Sequence, residues 1–159
     1  MKIKIICVGK IKEKFFKDAI AEYSKRLSRY CSLEIIEVPD EMTPDGASDS
    51  VNKQILQKEG ERIAAKIKDT DYVITLEILG DKFTSESFAR KLASVTLAGN
   101  SSIAFVIGGS LGLSDDVKAM SSMKLSFSDM TFPHQLMRVV LLEQIYRAFK
   151  INSNEPYHK

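Results

Sequence analysis

"FVIGGSLGLS", residues 105–114, decides how the rest of the chain is read. An apolar run opens abruptly into Gly108 and Gly109, then a serine, a leucine and Gly112. Paired glycines after a buried strand let a ligand approach the backbone with no Cβ in the way, and they permit positive φ angles. Two common phosphate cradles are excluded by spacing. Glycines at 108, 109 and 112 do not make G-x-G-x-x-G, and no G-K-[ST] follows for a Walker loop. A tight strand-to-helix turn without a ligand is the plain alternative. The helix after the turn is announced by Ser114, with Asp115 and Asp116 behind it, as an N-cap and an acidic first turn.

Outward from that stretch, short apolar runs alternate with amphipathic segments. "IAFVI" (103–107) carries no polar residue, as a strand covered on both faces should. Strands are predicted at "KIKIICV" (Lys2–Val8), "LEIIEV" (33–38), "YVITLEI" (72–78) and "KLSFS" (124–128). Phe16, Ala19, Ile20, Tyr23, Leu27 and Tyr30 recur at helical spacing, as do Val51, Ile55, Ile63 and Ile67, and then Phe88, Leu92 and Val95. "PDEMTPDGAS" (39–48) is a breaker-rich loop. Pro133 is expected as the first residue of a last helix running to about Lys150. The alternation predicts an α/β fold, a parallel sheet flanked by helices on both faces, within one domain spanning residues 1–159. In such sheets ligands bind at the carboxyl ends of strands. Three such ends stand out: "LEILG" (76–80), "IGGSLG" (107–112) and "SFSDMTFP" (126–133).

The third of these sets Phe127, Met130 and Phe132 among hydroxyl side chains just before a helix start. They can flank a planar base while the backbone meets its edge, and ordinary core packing is the alternative for both phenylalanines. In the last helix, apolar residues from Leu136 to Phe149 spread nearly all round the axis. A helix apolar on all sides must be covered on all sides, and its own sheet covers one, so a homodimer is predicted. Arg138 projects amid Leu142, Ile145 and Phe149, away from the polar strip of Glu143, Arg147 and Lys150. A cation there needs an anionic or polar partner, which makes it a site candidate, with a snorkelling stem as the alternative.

Charge is uneven. The net value is +2, yet residues 1–30 hold nine basic side chains against three acidic ones, and residues 31–60 hold seven acidic against two basic. The first segment suits a polyanion such as RNA, or a solvated helix face. The two cysteines, Cys7 and Cys31, lack metal or C-x-x-C spacing and read as small apolar residues in a reducing compartment. His134 and His158 have no metal spacing either, so no metal is expected. The opening apolar run is too quickly followed by lysines for a signal peptide, and no run reaches membrane-spanning length. A cytoplasmic protein with no membrane partner is expected.

Taken together, "VGKIKEKFFKDAIAEYSKRL", "VITLEILG", "FVIGGSLGLS", "LSFSDMTFPHQLMRVVLLEQIYRAFKI" and the terminal "PYHK" resemble the large-subunit ribosomal RNA methyltransferase H family of the SPOUT superfamily, from Met1 to Lys159. The resemblance implies a C-terminal trefoil knot, a rare exception among folds. It implies a homodimer and S-adenosylmethionine as methyl donor. The implied substrate is a pseudouridine in a stem-loop of 23S rRNA, methylated at N3 on the assembled 70S ribosome. By motif, Leu76, Gly108, Phe127, Ser128, Asp129, Met130, Thr131 and Phe132 take the place of the family's donor contacts. Arg138 is then expected to stabilise a developing imide anion, and Tyr157 and His158, from a partner's tail, to stack the extruded base or take its proton. Leu111 stands where a polar residue is expected in relatives. A non-catalytic ribosome-associated RNA-binding module, in which the loops only complete the fold, is the competing reading, and a flavodoxin-like nucleotide or flavin binder is a third.

Overall fold

A computed structural model describes all residues from Met1 to Lys159. Five strands, β1 (Lys2–Val8), β2 (Ser32–Val38), β3 (Tyr72–Lys82), β4 (Ser102–Ile107) and β5 (Met123–Ser126), form one sheet in the order β2-β1-β4-β3-β5. Every pairing is parallel. Between and after them run α1 (Lys14–Leu27), α2 (Asp49–Ala64), α3 (Ser85–Leu97), α4 (Asp115–Ala119) and α5 (His134–Asn152). This is the α/β arrangement the alternation predicts.

Successive strand residues point to opposite faces, so each central strand feeds two cores. Ile3, Ile5 and Cys7 of β1, with Ile103, Phe105 and Ile107 of β4, join Leu27, Phe88, Leu141 and Ile145 in the larger core under α1, α3 and α5. Ile6 and Val8, with Ala104 and Val106, join Ile63, Leu113 and Val117 in the smaller core under α2 and α4. Lys4 points to the same side as Ile6 and is equally buried. It survives there because its ammonium meets Asp71 Oδ2 at 2.6 Å, while the Ser102 hydroxyl donates to Asp71 Oδ1 at 2.6 Å. Cys7 is buried and Cys31 partly so, both as free thiols, and burial pushes the Cys7 thiol up to about 11.

Several boundaries differ from the sequence reading. β3 continues to Lys82 instead of stopping at Ile78, because Leu125 of β5 pairs with both Leu76 and Asp81 and the chain between them bulges outward. Leu79 at the crest is 97% exposed. β5 ends at Ser126, which releases Phe127 and Ser128 into the following loop. Pro133 occupies the N-cap with an extended ψ of 135°, so His134 is the first helical residue. The Ser114 cap forms as expected, its hydroxyl accepting from Val117 N at 3.3 Å.

The covering of α5 requires a correction. From the sequence, the sheet is its only expected cover within one chain. In the structure α1 and α3 both pack against α5 as well, and each residue from His134 to Ile151 is buried or partly buried. Part of the covering therefore comes from two helices of the same chain, while most residues of α5 outside Arg138, Leu141, Leu142, Ile145, Tyr146 and Ala148 stay only partly buried. No helix is long and apolar enough to cross a membrane.

Candidate functional site

The carboxyl ends of β3, β4 and β5 surround a cleft of about 350 Å³. That volume lies at the lower end of the range for small-molecule sites. Three segments make its walls: Leu76–Ile78, the glycine turn Ile107–Gly112, and the loop after β5 together with the first turn of α5.

The glycine turn is folded tightly on its own backbone. Gly112 N donates to Gly109 O at 3.0 Å and Gly112 takes φ +83°. A Cβ on Gly108 would stand 2.6 Å from the carbonyl carbon of Gly112, so no side chain fits. Below the turn lies Glu59 of α2, buried, with its Oε2 accepting from Glu41 N at 3.0 Å. Burial holds its carboxyl above the usual carboxylate range. On the outer side, the Thr43 and Ser110 hydroxyls are 3.2 Å apart, which ties the 39–48 loop to the turn.

The loop after β5 is held at its ends. The Ser126 hydroxyl donates to Ile78 O at 2.8 Å, and Ser128 Oγ accepts from Met130 N at 3.0 Å. Between these points its side chains are open: Met130 is 76% and Phe132 37% exposed, whereas Phe127 leans on the larger core.

Of the donor contacts read from the sequence, Leu76, Gly108, Phe127, Ser128, Met130, Thr131 and Phe132 all line the cleft. Asp129 does not. Its carboxylate turns outward to Lys82 in an exposed ion pair. Leu111 lines the cleft with an apolar side chain.

The three residues expected to be catalytic are not brought together. Arg138 is buried and does not border the cleft; its Nη1 donates to Glu37 and its Nη2 to the carbonyls of Val8 and Gly9, while its Nε has no partner. Tyr157 and His158 dock against their own chain. The Tyr157 hydroxyl donates to Glu143 Oε2 at 2.8 Å, and its ring meets Tyr146 edge-on at 5.0 Å. His158 lies 3.1 Å from Arg147 Nη1 through Nδ1 and 2.7 Å from Glu86 Oε1 through Nε2.

Among the lining residues that the sequence does not single out as site residues are Glu77, Ile78, His134 and Met137. Glu77 and Ile78 sit inside the quoted "LEILG", where only Leu76 was picked. His134 and Met137 are three apart on the first turn of α5, so both face the same way, a spacing that was readable once Pro133 marked the helix start. The Thr75 hydroxyl donates to Glu77 Oε2 at 2.7 Å and fixes that carboxylate. Burial, and then the Arg138 charge, hold the His134 ring below its ordinary pKa, which favours the neutral imidazole. No group of three His, Cys, Asp or Glu side chains is placed to hold a metal ion.

The cleft thus offers apolar walls, bare backbone, one carboxylate and one imidazole, at the end of a parallel sheet. That arrangement fits a small-molecule-dependent transferase of the α/β class. The family described as "Predicted SPOUT methyltransferase" matches residues 1–158, and the chain belongs to it. Proteins called ribosomal RNA large subunit methyltransferase H from Clostridium perfringens and Streptococcus thermophilus are each 60% identical over 159 residues, covering all of both chains. The one from Bifidobacterium animalis subsp. lactis is 59% identical over the same length. Among solved structures, "a probable methylase family protein from Haemophilus influenzae Rd KW20" superposes with a TM-score of 0.55 at 14% identity, covering 99% of this chain and 70% of that one. That likeness bears on the fold alone.

Proposed function

We propose that this chain methylates N3 of a pseudouridine in 23S rRNA on the assembled 70S ribosome, in the cytoplasm, with S-adenosylmethionine in the cleft as donor. The observation that carries the reading is the cleft itself, a nucleoside-sized space between a turn that admits no side chain and an open aromatic loop. It is joined to full-length relatives named for ribosomal RNA methylation. The residues present suit the donor. Glu77 places a fixed carboxylate where a cationic ligand gains from it, and apolar walls from Leu76, Leu111, Phe127 and Phe132 suit a purine.

When bound, S-adenosylmethionine supplies an electrophilic methyl group on a sulfonium centre. The protein's own work is then positioning and the disposal of one proton. Gly108 and Gly109 let the turn fold tightly, since the space their side chains would need is taken by Gly112, Glu59 and Val8. The backbone of that turn then forms one wall for the ligand, while the loop Phe127–Phe132 offers peptide groups to a base edge. Holding donor and acceptor in line converts a bimolecular step into one between fixed neighbours. His134 is the imidazole facing the cleft, and in its neutral form it can accept a hydrogen bond or a proton.

The exposed lysines Lys10, Lys12, Lys14 and Lys17 supply phosphate contacts, which makes ribosome binding weaken with salt. The same reading has a homodimer as the working unit and the C-terminal part threaded as a trefoil. Tyr157 and His158 then serve the second copy's cleft, where stacking of a base on an aromatic ring is worth about 1–3 kcal/mol.

Calorimetry with S-adenosylmethionine, followed by methyl transfer to 70S ribosomes and to naked rRNA, tests this. One donor bound per chain, with transfer to ribosomes, is expected. Absence of donor binding with retained ribosome binding identifies the non-catalytic RNA-binding module instead.

A further inference from the structure

Arg138 is the largest side chain sealed inside the molecule, at 2% exposure, and its bonds cross from one functional segment to another. Its Nη1 donates to Glu37 Oε2 at 2.7 Å, and its Nη2 to the carbonyls of Val8 and Gly9 at 3.0 and 2.8 Å. Glu37 Oε2 also accepts from Ile11 N at 3.1 Å. The guanidinium therefore grips the exit of β1 directly, and through Glu37 it grips the turn that leads into α1. That turn, Gly9–Glu13, carries Lys10 and Lys12, both exposed, and Lys14 follows at the head of α1. At its other end Arg138 is rooted in α5 next to Met137 and one turn beyond His134, both of which line the cleft.

We infer that Arg138 is a positioning residue which, with Glu37, sets the basic β1–α1 turn at a fixed place relative to the wall of the donor cleft. Phosphates gripped by the turn and the methyl group held in the cleft then share one rigid frame. The inference rests on the rRNA-methylating function proposed above. An arginine is needed because its planar fork addresses a carboxylate and two carbonyls at once, whereas an ammonium is a point charge that cannot span them. Direct stabilisation of the reacting base is not its role, since its charged end is enclosed by protein.

The test compares Arg138→Lys and Glu37→Gln with the wild-type chain on 70S ribosomes in single-turnover assays. Glu37→Gln lies at the partly exposed end of β2 and keeps an acceptor for Ile11, so it serves if the arginine variant does not fold. The ribosome concentration for half-maximal rate is expected to rise about tenfold in Arg138→Lys and by less in Glu37→Gln, with the saturating rate and donor affinity within about twofold of wild type. Removing Lys12 and Lys14 as alanines should cost about tenfold in the wild-type background and nothing further in Arg138→Lys. Amide exchange at Ile11 should quicken about tenfold in Arg138→Lys while core amides of β1 and α5 hold.

A fall in saturating rate with unchanged half-maximal concentration overturns the inference in favour of direct catalysis. Additive lysine effects, or unchanged exchange at Ile11, overturn it as well. If the wild-type chain transfers no methyl group, the functional reading has failed and this one falls with it. If the wild type is active and both variants match it, the positioning role alone is lost.

Discussion

The two loops that face each other across the cleft are built on opposite plans. The glycine turn closes on its own backbone, and its next residues, Leu113 and Val117, are anchored in the smaller core at 5% and 1% exposure. The loop after β5 leaves Met130 largely and Phe132 partly exposed, and its one charged side chain is tied off to a surface lysine. Buried groups in a close-packed interior resist displacement, whereas exposed apolar side chains gain by being covered. One wall is therefore preformed, and the other leaves apolar side chains that a ligand bound there would cover. A ligand that fills the cleft pays little to order the first loop and gains apolar burial from the second.

The most damaging way to break this contrast is Gly108→Ala. The added methyl group would meet the backbone of Gly112, which no rotamer change relieves. Overpacking of that kind is expected to cost about 3 kcal/mol of stability. The glycine turn would move to relieve it, and donor affinity is expected to drop about 100-fold, equivalent to nearly 3 kcal/mol. Thermal unfolding and calorimetry on the same variant measure both. Wild-type affinity with lowered stability would mean that the turn's shape is not what the donor reads.

The same contrast explains what the sequence disclosed. The succession of strands and helices along the chain and the buried β4 were legible because alternation and periodicity report which faces meet a core, and β4 is covered on two sides. The glycine turn was legible because Gly108 has a steric reason that leaves a mark on residue type. The covering of α5 is legible only in part, since a helical pattern shows that a face is buried but not by what, and α1 and α3 take up a share of it. Arg138 was found as a charge out of place, yet its partners Glu37, Val8 and Gly9 lie about a hundred residues or more away along the chain, beyond any local pattern. The bulge after Leu76 depends on two positions of β3 sharing Leu125, a register fact that no single segment contains. His134 and Met137 escaped for a different reason: their spacing has meaning only once the helix start is fixed.

A smaller effect is expected at the open wall. Phe132→Ala removes a ring that is 37% exposed and makes no part of either buried core. Stability should change by less than about 1 kcal/mol, as for most surface positions. Donor affinity should fall about tenfold, because a ring lost from a purine's face costs on the order of 1–3 kcal/mol. This inverts the pattern for Gly108→Ala, in which folding and binding suffer together. Equal losses of stability and affinity would show that the second loop is as preformed as the first.

The least costly change sharpens the picture of that loop further. Asp129 stands in the middle of the motif yet turns its carboxylate away from the cleft, toward Lys82, with both side chains more than half exposed. Exposed pairs of this kind contribute about 0–1 kcal/mol, so Asp129→Asn should shift the urea midpoint barely, and less still at high salt. Donor affinity should stay within about twofold if position 129 contributes only its peptide group. A tenfold loss of affinity from Asp129→Asn would require the carboxylate to swing inward on binding. The second wall would then rearrange around its ligand as well as being covered by it, and the ion pair with Lys82 would be the contact that has to open first.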